Sequence, residues 1–317
     1  MKALRIVVET LWKTEARLTA VGLLMVGLLG ATGVALLVDP REISGAPAWL
    51  KPAKFAASIA IYTLTLAWVF TCLPQWRKTR RVVSWVTSVT LLLEIVIIDL
   101  QAWRGTTSHF NAATPLDGAL FSIMGVAILV QTLSTVAVAV ALWRQPFADR
   151  AMGWALRLGM VITIAGASSG GLMVRPTDAQ LADARAGHPM TVAGAHTVGA
   201  PDGGRGLPGT GWSREHGDLR VGHFLGLHGL QMLPLLAFVF ARRDWLEATR
   251  VRVVWALAAS YSALVALLLW QALRGQSITR PDGITLFALA SWILLTAAAM
   301  WLAAFRSEHA RVHAVAH

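Results

Sequence analysis

The chain has 317 residues, 56% of them hydrophobic and 14% charged, with a net charge of +11 and one cysteine, Cys72. That charge is about half of what a soluble domain carries, which excludes a soluble globular protein. A lone cysteine excludes an intramolecular disulfide and a thiolate metal cluster, and the basic excess fits anchoring beside anionic lipid head groups rather than nucleic-acid binding.

Eight apolar stretches, near 18–38, 55–73, 82–103, 117–143, 158–174, 221–240, 253–273 and 283–305, each reach the roughly 20 residues that cross a bilayer. They predict an all-α, multi-pass membrane protein whose main partner is the lipid bilayer. The first stretch follows a charged leader (Lys2, Arg5, Lys13, Arg17) and is too long for a cleaved signal, so it should remain as an anchor. After the second stretch comes a basic cluster from Arg77 to Arg81.

The third stretch carries two carboxylates, Glu94 and Asp99, and ends in Gln101 and Arg104. Glu94, Gln101 and Arg104 fall on one helix face, while Asp99 points elsewhere. Glu94 lies roughly 14 Å along the helix from its nearer end. Ionisable groups at such depth face a cavity or a partner. A Glu94–Arg104 packing network is the structural expectation, a proton- or ligand-binding carboxylate the functional one. His109 follows in the next loop.

Between the fifth and sixth stretches, residues 175–220 contain nine glycines and four prolines. Thr177 and Gln180 have capping-box spacing and Gly187 ends a short helix, so a folded cap is expected over a loose linker. The sixth stretch holds His223, His228, Gln231 and Pro234. On a continuous helix the two histidines diverge by about 140°, whereas His228 and Gln231 share a face. Gly222 and Gly226 permit close helix approach, and Pro234 frees backbone carbonyls. Gly166-Ala-Ser168-Ser-Gly170 fits a hydrolase elbow pattern but follows a membrane span rather than a strand, so helix packing explains it better. A terminal run of His309, His313 and His317 reads as a frayed tail.

The halves echo each other. Gln101-Ala-Trp-Arg104-Gly returns as Gln271-Ala-Leu-Arg274-Gly, Asp117-Gly118 as Asp282-Gly283, and Leu66-Ala-Trp-Val-Phe70 as Leu236-Ala-Phe-Val-Phe240. A duplicated four-span unit follows, with 1–147 and 148–317 as the two copies. Four spans per copy make the repeats parallel, related by a pseudo-twofold axis along the membrane normal. Lys and Arg are denser in the segments on the side of the N-terminus, which places both termini in the cytoplasm and residues 175–220 outside a bacterial-type inner membrane.

Where the copies differ, function has room. Glu94 faces Leu264 in the second copy, and Lys54 aligns with His223. Three functions follow from these residues. The first is a proton-coupled, transporter-like protein that binds a small polar solute or ion through Lys54, Glu94, Asp99, Gln101, Arg104, His109, His223, His228 and Gln231. The second is a redox protein holding haem or a divalent metal on His109, His223 and His228. The third is a non-catalytic sensor or accessory subunit that docks a partner through the outer loop. A single cavity between the halves is expected to gather Glu94, Arg104, His109, His223 and His228.

Overall fold

The computed structural model describes residues 2–315, with side chains described for residues 2–304; the side chains of His309, His313 and His317 lie outside that range. Among the described residues the chain is mainly helical, with eleven α-helices and two short two-stranded sheets. The helices are α1 (Lys2–Thr14), α2 (Ala16–Val38), α3 (Leu50–Thr71), α4 (Arg77–Trp103), α5 (Pro115–Arg144), α6 (Arg150–Ser169), α7 (Asp178–Arg185), α8 (Leu219–Leu227), α9 (Gly229–Ala241), α10 (Glu247–Leu273) and α11 (Gly283–Val315). Seven are long and apolar enough to cross a membrane; α8 and α9, bent by 52° where they join, pass the same test as a pair and make eight if counted as one span. Their apolar side chains point outward as well as inward: Phe287 is 75% exposed, and Leu294 and Leu295 are each 70% exposed. Only a hydrocarbon solvent makes such a surface cheap.

The leader forms its own helix. In α1, Leu11 is buried while Leu4, Ile6 and Trp12 stay exposed among Lys2, Arg5 and Lys13, the composition of an interfacial helix. Arg80 ties its end to the bundle, donating to the Thr14 carbonyl at 3.2 Å and the Phe70 carbonyl at 3.4 Å, beside Glu15 at 3.7 Å.

Helix α2 packs on α3, α4 on both, and α5 on α4; in the second half α6 packs on α8, α9 and α10, and α11 on α10. The neighbour relations recur in the same order. Helices α4 and α10 are both 27 residues long and start and stop at equivalent positions of the sequence echo. The seam between the halves is chiefly α5 against α6, where Leu66 and Phe70 meet Val138, Leu142, Leu156, Met160 and Leu230. A half-turn about the membrane normal would place α11 against α2 in the same way. Instead α11 packs principally on α10, so this seam is one-sided.

Small residues bring α6 close to the broken span. A Cβ on Gly166 would lie 2.3 Å from the Gly226 carbonyl carbon, and one on Gly159 would lie 2.8 Å from the Gly229 carbonyl oxygen. Gly30, the counterpart of Gly166, meets nothing within 4 Å, so packing by this motif is confined to the second half. Gly222 faces Leu269 of α10 while Gly226 faces α6, so the pair serves two different neighbours.

The break falls at His228 and not at Pro234, which sits inside α9. Side chains repair the freed backbone there. Thr163 Oγ1 donates to the Leu227 carbonyl at 3.2 Å and accepts the Leu230 N–H at 2.9 Å, while the Tyr261 hydroxyl donates to the Leu225 carbonyl at 2.6 Å. Interrupted helices survive at membrane depth only with such partners.

At the opposite end from the basic clusters lies the cap. The short connection after α2 is a hairpin, β1 (Glu42–Ile43) with β2 (Ala46–Pro47), turned by Ser44 at φ +51° and Gly45 at φ +72°. Residues 175–220 fold over both halves. The expected capping box of Thr177 and Gln180 starts α7, and Gly187 follows it at φ +90°. Strand β3 (Thr197–Val198) pairs with β4 (Gly217–Asp218). Gly203 abuts the Ser44–Gly45 turn, and Lys54 Nζ donates to the Thr210 carbonyl at 2.6 Å.

Candidate functional site

Beneath the cap the apolar patterning of α4 leaves one carboxylate inside. Glu94 is 2% exposed. Its Oε1 lies 3.4 Å from His109 Nε2, and its Oε2 is buried with no hydrogen-bond partner. His109 is fixed by its other nitrogen, 3.1 Å from Ser108 Oγ, and by a ring of aromatics: Phe55 at 5.7 Å, Phe110 at 6.2 Å and Phe121 at 6.4 Å between centroids. Phe110 adopts φ +60°, a strained conformation for a residue with a side chain, and so turns the loop into the bundle. Burial pushes the His109 imidazole below its ordinary pKa; the Lys51 ammonium pushes the same way and Glu94 opposes both. Nε2 is the ring nitrogen that faces the carboxylate.

Cations gather around this pair. Lys51, on the first turn of α3, lies within electrostatic range of Glu94, Arg220 and Lys54, with its ammonium 6.0 Å from the Phe55 ring. Arg220 grips Asp218 through two bonds of 2.9 and 2.6 Å and donates to the Gly211 carbonyl. Phe110 carries the cluster to the cap, its ring 4.7 Å from that of His196. His196 Nδ1 lies 2.8 Å from Asp202 Oδ2. Burial pushes the His196 pKa down to about 4, with Asp202 only partly opposing. Burial works against the Asp202 carboxylate too. Donors from the His196 ring and the N–H groups of His196 and Thr197 outweigh it and hold Asp202 below the usual carboxylate range.

His223, on α8, lies in electrostatic range of His109. Its Nδ1 is 2.8 Å from the Gly166 carbonyl, which can only accept, so Nδ1 carries the proton and Nε2 is left as an acceptor. Ser169 Oγ, 3.2 Å away, bonds the same carbonyl. Ser168, the serine of the elbow-like pattern, instead donates to the Ile164 carbonyl on an exposed face.

Several expected members lie elsewhere. Arg104 meets Asp117 at 2.7 Å rather than Glu94, and Gln101 joins the same pair. The second half builds the same corner: Gln271 Nε2 donates to the Ser277 carbonyl as Gln101 Nε2 does to Thr107, Gly105 and Gly275 turn at φ +74° and +72°, and Arg274 meets Asp282. Gln101 and Arg104 thus hold a helix corner. His228 sits at the break of α8 and α9, its ring 4.4 Å from Phe224, beside Gln231, whose Oε1 is buried without a partner. Asp99 is half-buried on another face of α4, with Oδ1 unpartnered. Among the described residues no three His, Cys, Asp or Glu side chains gather as metal ligands, so His109, His223 and His228 do not assemble into the expected metal centre. Beside Asp218, Val221 and Gln271 there is a cavity of about 10 Å³, room for one water.

No protein-family model matches the chain, and neither does any curated protein or solved structure. The site must therefore be read from its own chemistry. Lys51, Arg220 and the His196–Asp202 pair escape a sequence reading because tertiary packing, rather than any spacing, brings Arg220 and Asp202 within electrostatic range of Lys51, and Lys51 within range of Glu94.

Proposed function

We propose that this chain is a tandemly duplicated, eight-span protein of a bacterial-type cytoplasmic membrane. In this reading both termini are cytoplasmic, and it binds a small polar solute or ion under an extracytoplasmic cap, in the manner of a proton-coupled transporter. The observation that carries the reading is Glu94: a buried carboxylate with one oxygen 3.4 Å from His109 Nε2 and the other without a partner. A proton taken up on Glu94 Oε2 removes the carboxylate charge from a cluster that also holds Lys51, Lys54 and Arg220. Affinity for a charged or polar ligand must change with it.

The broken span at His228 supports the same reading. Discontinuous helices at a repeat interface are where transporters place substrate. The recurring packing order and the equivalent bounds of α4 and α10 support the duplication, and the basic clusters at the end away from the cap support the orientation.

A thermal-shift screen of the purified protein in lipid nanodiscs tests it, using inorganic ions, amino acids and small carboxylic acids. A true ligand at a hundredfold excess over its Kd stabilises the protein by about 2.7 kcal/mol. That stabilisation should depend on pH, and the dependence should vanish in Glu94→Gln. If Glu94→Gln and His109→Gln leave every ligand shift and its pH dependence unchanged, the reading is wrong.

A further inference from the structure

Buried serines and threonines of this protein's helices satisfy themselves by donating to the carbonyl one turn back. Thr19, Thr32, Thr63, Thr90 and Thr135 all do so, at 2.8 to 3.0 Å. Thr163, Thr249 and Thr285 bond other partners instead, and three hydroxyls, consecutive along α4, have no partner at all. Ser84 and Thr87 are fully buried and Ser88 is 6% exposed, yet none of their oxygens has a hydrogen-bond partner. The next unpartnered oxygen along the helix is Glu94 Oε2. These positions share one broad face of α4, and Ser84 to Glu94 covers about 15 Å of rise. Thr90 lies between them and opens a hydrogen-bonded side branch across three helices: Thr90 to Gln131, Gln131 to Tyr62, and Tyr62 to Thr135. One turn below Ser84 stands Arg80, beside Glu15 at the basic end.

The second half supplies an internal comparison. At the equivalent positions of α10 stand Val254, Leu257 and Ala258, with Leu264 in place of Glu94. Val254 and Ala258 are as buried as Ser84 and Ser88. The position therefore tolerates an apolar side chain, and packing alone does not call for hydroxyls. Only the copy that keeps the carboxylate keeps the hydroxyls.

We propose that the Ser84–Thr87–Ser88 face of α4 holds a file of buried water that carries protons between the basic end of the bundle and Glu94. The inference rests on the reading of Glu94 as a proton site and gives that site its second, cytoplasmic access. Orphaned buried hydroxyls are the places where internal water is held. A proton passes along the file from the cytoplasmic side to Glu94 Oε2, converting the carboxylate to the acid. It leaves toward the cap when Glu94 is deprotonated beside His109. The charged or titratable groups around Glu94 are His109 and Lys51, with His223 beyond His109, and those at the other end of the file are Arg80 and Glu15.

The experiment uses the full chain in proteoliposomes of one orientation, with the carboxyl infrared band that Glu94→Gln removes as the readout. An acid jump on the side of the basic end should protonate Glu94 in the wild type. In Ser84→Ala/Thr87→Val/Ser88→Ala that response should slow at least about tenfold, the factor that corresponds to one lost hydrogen-bonded link, while the response to an acid jump on the cap side is unchanged. A triple variant that responds like the wild type from both sides overturns the water file and leaves the Glu94–His109 site standing. A wild-type band that responds from neither side overturns both. Should the triple variant not fold, a high-resolution map of the wild type decides. Ordered water against the Ser84, Thr87 and Ser88 oxygens is expected, and a dry face overturns the proposal.

Discussion

Arg104 and Arg274 occupy equivalent corners in the two halves, yet their partners differ in exposure. The Asp117 carboxylate is 5% exposed and the Asp282 carboxylate 41%. Removing Arg104 leaves a charge buried among protein, whereas removing Arg274 leaves one that water can reach. Arg104→Ala should therefore cost about 2–3 kcal/mol and Arg274→Ala under about 1 kcal/mol, measured by reversible unfolding in bicelles. Equal losses would mean that burial does not set the worth of these pairs. At this scale the sequence singled out Glu94 because a carboxylate in an apolar helix has few other reasons to exist, and of the residues expected beside it His109 is the one in contact. It misassigned Arg104, since sharing a helix face says where a side chain starts and not which partner lies closest. Asp117, one helix further on, is that partner.

At the level of elements, the close crossing of α6 and α8 depends on the absence of side chains. Gly166→Ala would place a methyl group 2.3 Å from backbone of α8, with no flexible side chain to yield. A loss of roughly 1–3 kcal/mol is expected, whereas Gly30→Ala, which meets nothing, should be neutral or slightly stabilising. Thermal unfolding of the two variants side by side checks this. If they behave alike, the crossing is not set by Gly166. The small-residue motif was legible in the chain, but it could not say which half uses it. Likewise Pro234 was visible as a helix breaker. The break moved to His228 because Thr163 and Tyr261 offer bonding partners there.

The cap joins the halves into one molecule, touching the Ser44–Gly45 turn and Lys54 of the first while growing out of the second. His196 supports it as a neutral ring with a pKa near 4, against 6.5 when unfolded. An unfolded cap therefore binds a proton that the folded cap refuses, and cap stability is lost as pH falls from about 6.5 toward 4. Below that, protonation of Asp202 removes the carboxylate that holds the 196–197 backbone. Protease added to the cap side of sealed vesicles should cut residues 199–211 faster at pH 5 than at pH 7. His196→Phe, which keeps the ring against Phe110 and cannot titrate, should flatten that dependence. A pH profile identical in wild type and His196→Phe would remove His196 from the cap's response.

The long apolar helices, most of their cap-side ends and the capping box of α7 were written in local composition, because hydrocarbon length and helix ends are local constraints; α3 begins and α6 ends about five residues earlier than the apolar runs do. Pairing was not. The company Glu94 keeps, the one-sided seam between α5 and α6, and the place where the sixth span breaks depend on which surfaces meet. A single chain cannot specify that through periodicity, since within a bilayer every apolar face fits lipid as readily as it fits a neighbouring helix.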